Sequence, residues 1–167
     1  MNVSYIFTAI ILIVSLIMQG HSSFDVLRIG GVKPDMTFIA IVYYSYSFGS
    51  FYGEATALFS GFFHDSMSNS PLGLLTLPKV IVAFAIGLFG RAVMKSNVLT
   101  IIPLVFGASV LKGVITLLLC MIFHEASVSD IAYIILPESF YNALLAIPLF
   151  LVFDKIYENE LGREGSY

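Results

Sequence analysis

Apolar residues occupy long blocks of this chain, separated by short joints rich in glycine, serine, proline or charge. The blocks and their turn residues predict six helices, at about Tyr5 to Gln19, Asp35 to Phe48, Phe51 to Met67, Leu72 to Met94, Val98 to Phe123 and Ile131 to Tyr157. The second and third are short and meet at Ser47-Phe48-Gly49-Ser50, a joint too small to leave the apolar phase far behind, which predicts a tight hairpin. A longer loop, Gly20 to Pro34, carries Asp25, Arg28 and Lys33. The first block lacks a basic flank and a small-residue cleavage site, so it reads as a retained helix, not a removed signal.

Composition turns the helices into membrane helices. Of 167 residues, 58% are hydrophobic and 11% charged, against roughly a quarter charged in a soluble domain. A hydrocarbon core of about 30 Å takes about 20 apolar residues per helical crossing. The expected fold is therefore all-α: one integral membrane domain over 1–167, a six-transmembrane-helix bundle with a cytoplasmic tail at 158–167. Lys and Arg favour the cytoplasmic side; with the N-terminus inside, Arg91, Lys95, Lys155 and Arg163 fall inside and Arg28 and Lys33 outside, and both termini are cytoplasmic. Tyr43, Tyr44, Tyr46 and Tyr52 crowd the inner hairpin, where headgroup-level rings are expected. A net charge of −3 without a basic cluster excludes nucleic acid as a partner.

Two sets of residues stand out. Gly49, Gly53, Ala57 and Gly61 recur every four positions along the third helix, a small-residue ridge that lets another backbone approach. Packing within the bundle is its ordinary use; a partner-binding face, with the last helix bent at Pro148 as a second wall, is the other. On the second reading Gly61→Leu weakens assembly before it unfolds the chain. The other set is ionisable residues inside apolar blocks, which hydrocarbon tolerates only when they face the bundle interior or a polar cavity. Counting about 1.5 Å per residue, Lys112 lies about 16 Å inward from the outer end of the fifth helix and Glu138 about 10 Å from that of the sixth, close enough to pair between antiparallel neighbours. His64, Asp65 and Lys79 share the outer half, so these five residues form a candidate polar cavity; Glu54 alone sits toward the inner side. Charge neutralisation without a ligand is the plainer reading of that cluster. Pro78 is expected to interrupt the fourth helix near its outer end.

Catalytic patterns are missing. His124-Glu125 has no second histidine at zinc-protease spacing, Gly107-Ala108-Ser109 lies within a helix, and no glycine-rich phosphate loop occurs. His21, His64 and His124 are scattered and Cys120 is the sole cysteine, so neither a metal centre nor a disulfide is expected, and no cofactor. The chain reads as non-enzymatic.

Two stretches carry a resemblance. Pro34-Asp35, the spaced small residues, Gly61-Phe62-Phe63-His64-Asp65 and Ser70-Pro71-Leu72-Gly73-Leu74, followed by the final block from Leu136-Pro137-Glu138-Ser139-Phe140-Tyr141-Asn142 to Pro148-Leu149-Phe150, resemble the signature of the rod shape-determining protein MreD family. Ala57 stands where that family usually has glycine, and Lys79 and Lys112 match no family role. The resemblance implies a bacterial inner-membrane scaffold of the cell-elongation complex. Its implied partner is MreC, and through it the rod-complex glycosyltransferase and transpeptidase and the MreB cytoskeleton. It also implies a fold similar to the substrate-binding subunits of energy-coupling-factor vitamin transporters, and such a subunit is the alternative reading.

Overall fold

The computed structural model describes residues 2–20, 32–68, 71–93, 98–123 and 128–164. Among the described residues the helices are α1 (Asn2–Gly20), α2 (Met36–Phe48), α3 (Ser50–Met67), α4 (Thr76–Val93), α5 (Val98–Phe123) and α6 (Val128–Glu164), with no strand. His21, Arg28, Lys95 and His124, named above for orientation or chemistry, lie outside the described residues, as do the side chains of Arg91 and Arg163.

α2 is the centre of the molecule. Residues Thr37 to Ser45 are all buried, and a helix that is apolar all round is stable only when surrounded. Its rings and branched chains (Phe38, Ile39, Val42, Tyr43, Tyr44) form one core with Val82 and Ile86 of α4, Ile101 and Val105 of α5, and Ala146, Phe150 and Phe153 of α6. At 13 residues it is only about 20 Å long, less than a bilayer core of about 30 Å.

Four of the other helices fold around it as two antiparallel pairs, α3 with α4 and α5 with α6, and α1 packs against α2 and α3. A Cβ placed on Gly61 would lie 2.7 Å from the Cα of Thr76, and one on Gly53 would overlap Ser45 of α2. Ala57 is fully buried with Ile41 and Ala83. The ridge therefore faces inward and brings α3 against α2 on one side and α4 on the other. Gly49 is the joint between α2 and α3; its φ of 90° and ψ of 176° are open essentially to glycine alone. In the second pair, a Cβ on Gly113 would meet Ile135, and the Phe106 and Phe140 rings pack tilted against each other at 4.9 Å between centroids.

Several helix ends differ from the sequence reading. Residues 72–75 form a turn, and α4 starts at Thr76. Pro78 thus falls in the first turn, where a missing N–H breaks no helical bond. α6 continues through Pro137 and Pro148 to Glu164, so most of the expected tail is helical. Tyr43 and Tyr44 are core residues, not headgroup anchors. The Tyr43 hydroxyl donates to Asp154 at 3.0 Å, and the Tyr157 hydroxyl joins those of Tyr44 at 3.0 Å and Thr8 at 2.9 Å. Buried hydroxyls need partners, and here they tie α2 to α1 and α6. The Thr8 contact also places the early part of α1 and the far part of α6 at the same end of the molecule.

Among the described residues, two helices are long and apolar enough to cross a membrane, over Thr100–Phe123 and Ala132–Glu158. Large apolar side chains cover the outside, among them Phe51 at 78% exposure and Phe59 at 65%. Apolar surface of that extent is stable only against another apolar phase.

Candidate functional site

Polar chemistry collects at the end of α2 opposite the tyrosines. Asp35 caps the helix, its Oδ1 accepting the Phe38 N–H at 2.9 Å, a role for which aspartate is among the best residues. Its own N–H donates to Asn142 Oδ1 at 2.8 Å, and the Asn142 amide donates to Ser109 Oγ at 3.1 Å. Asp35 thus fixes the start of α2 to α6 through its backbone N–H and, by way of Asn142, to α5.

The second oxygen of Asp35 faces two lysines. Lys112 Nζ from α5 lies 2.9 Å from Oδ2 and Lys79 Nζ from α4 lies 3.7 Å from it. Lys112 also donates to Glu138 Oε1 of α6 at 2.6 Å and sits 4.8 Å from the Phe38 ring centre, in range of its electron-rich face. Lys79 is paired with His64 Nδ1 at 2.9 Å. An ammonium group only donates, so Nδ1 is the acceptor and the ring proton resides on Nε2. Two lysines and two carboxylates balance formally, the arrangement that makes charge tolerable in a dry interior.

These groups border a cavity of about 400 Å³ between the two helix pairs, with the 33–35 segment on its rim. His64, Lys79, Lys112 and Glu138, expected from the sequence at a common depth, all line it. Asp65 does not. It turns toward the segment that follows α3, accepting the N–H groups of Gly73 at 2.8 Å, Leu75 at 2.9 Å and Thr76 at 3.3 Å together with the Thr76 hydroxyl. Its work is to hold the α3–α4 turn.

The sequence reading missed Asp35 and Asn142 as site residues. Both were visible in it, Asp35 as an acid before an apolar block and Asn142 as an amide inside one, yet each was taken only as part of a motif. For the proposed partner face, Gly53, Ala57 and Gly61 are occupied by the chain's own packing and Gly49 by the joint, so among those residues only Pro148 is exposed. Among the described residues, no three His, Cys, Asp or Glu side chains are grouped to hold a metal ion. The cavity sets the Lys79 and Lys112 ammonium groups and the Asp35 and Glu138 carboxylates beside an aliphatic wall of Leu74, Leu75, Ile134 and Ile135.

Compared with known proteins, the chain matches the family described as rod shape-determining protein MreD over residues 1–159. No curated protein and no solved structure matches it.

Proposed function

This chain belongs to the MreD family of rod shape-determining proteins, and from that premise we propose that it is a non-enzymatic, multi-pass inner-membrane subunit of the cell-elongation complex. In this role it scaffolds MreC and, through MreC, the peptidoglycan glycosyltransferase and transpeptidase and the MreB filament. The family match across residues 1–159 is the observation that carries the reading. A lipid-compatible outer surface supports it.

The proposal includes six crossings with both termini cytoplasmic, in a bundle similar to the substrate-binding subunits of energy-coupling-factor transporters. The contact between Thr8 and Tyr157 supports termini on one side. A central α2 shorter than the bilayer core is compatible with six crossings, because the helices around it, not lipid, surround it. The partner surface lies on the outside, with Pro148 retained from the sequence expectation and the ridge removed from it. The transporter reading has no support in the family match.

Depletion of the protein in a rod-shaped host, with complementation by the tagged chain, tests the role. Depleted cells should round up, the tagged chain should restore rods, and MreC should co-purify with it in mild detergent. Rods that persist after depletion, or a complementing chain that never retains MreC, would sink the proposal.

A further inference from the structure

Lys79, which lines the cavity, has donor capacity left over. It is 2% exposed and carries three N–H donors. One is directed to His64 Nδ1 at 2.9 Å, and the nearest carboxylate oxygen, Asp35 Oδ2, stands at 3.7 Å, too far for a hydrogen bond. Lys112, by contrast, holds Asp35 and Glu138 at 2.9 and 2.6 Å and lies over the Phe38 ring. A buried ammonium with unused donors, beside an open volume, can take a further acceptor oxygen from outside the chain.

The remaining walls narrow the class. Leu74 and Leu75 from the α3–α4 turn and Ile134 and Ile135 from α6 make the aliphatic side of the cavity. Ile134 is 39% exposed, the most open of these four side chains. A volume of about 400 Å³ lies within the range of about 300–1,000 Å³ typical of small-ligand sites, enough for a head group and the first part of a stem. We propose that this cavity binds an anionic head group, phosphate or carboxylate, borne on an apolar stem, with a head-group oxygen on Lys79 Nζ and the stem along Ile134 and Ile135. The site is independent of the scaffolding role, and its test reads binding, not cell shape.

The ligand chemistry can come from an acidic phospholipid or from a soluble anion, and the two are separable. The full chain is reconstituted in nanodiscs of phosphatidylglycerol or of phosphatidylcholine alone, and retained lipid is counted by native mass spectrometry after release. A second arm measures thermal unfolding with inorganic phosphate in phosphatidylcholine discs. Lys79→Met removes the donor; Thr116→Phe fills the cavity from α5 without touching a charge; Phe59→Ala on the outer face of α3 is the control. Wild type and Phe59→Ala should keep one phosphatidylglycerol, with retention at least about tenfold lower in both cavity variants. Stabilisation by phosphate that both cavity variants lose, without lipid retention, would support the site and identify a soluble source. Equal retention in wild type and Thr116→Phe, or no response to either probe in a folded wild type, would overturn the proposal.

Discussion

Replacing Asp35 by Asn isolates the charge that joins the two helix pairs. The amide side chain still offers an oxygen to the Phe38 N–H and leaves the backbone bond to Asn142 in place, and asparagine caps helices about as well as aspartate. What disappears is the attraction to two buried lysines. At an effective dielectric constant of about 20, the Lys112 contact at 2.9 Å is worth about 6 kcal/mol and the Lys79 contact at 3.7 Å about 4 kcal/mol. Against this, the variant no longer desolvates a carboxylate, a saving of several kcal/mol, while Lys79 and Lys112 now repel each other and only Lys112 keeps a carboxylate partner, Glu138. Breaking a buried ionic group from one side costs about 3–5 kcal/mol, which for a chain of this length lowers the melting temperature by roughly 10 °C or more. Thermal unfolding of the purified protein in a fixed detergent measures it. Asp35→Asn combined with Lys79→Met restores neutrality and keeps the Lys112–Glu138 pair, so it should recover at least half of the loss. A single variant that melts within about 2 °C of wild type, or a double variant no better than the single, would refute the clasp.

Gly61→Leu should lower stability by more than about 3 kcal/mol, because its side chain meets the Thr76 backbone and not a partner; loss of MreC binding at unchanged melting temperature would contradict the inward-facing ridge. Asp65→Ala leaves the N–H groups of Gly73, Leu75 and Thr76 without their acceptor and should cost about 2–4 kcal/mol, seen as faster amide exchange confined first to the α3–α4 turn. Tyr157→Phe removes the hydroxyl shared by Thr8 and Tyr44 and should cost about 1–2 kcal/mol, whereas Tyr133→Phe, at a ring 83% exposed, should leave the melting temperature unchanged. Cysteines at 112 and 138 in a cysteine-tolerant background should cross-link in the membrane; failure to do so would count against the pairing of α5 with α6.

The sequence alone determined roughly where the helices are, though not their ends, because the joints between apolar blocks carry residues that helices and hydrocarbon reject. It also brought Lys112 and Glu138 together, since depth along two consecutive antiparallel helices fixes which residues lie level. The ridge of α3 was legible as a surface for close approach, but not which backbone approaches it, because a step of four residues drifts around the helix and fits an inner or an outer neighbour equally. Only the tertiary structure made α2 the buried centre. Hydropathy cannot separate a helix surrounded by protein from one surrounded by lipid, as both environments are apolar. The same blindness hid Asp35. Its partners are 77 and 107 residues away in the chain, and nothing local to an acid at the start of a helix says which lysine will arrive. The polar cluster was legible as a set of costly residues; its clasp was decided by the helix around which the others pack.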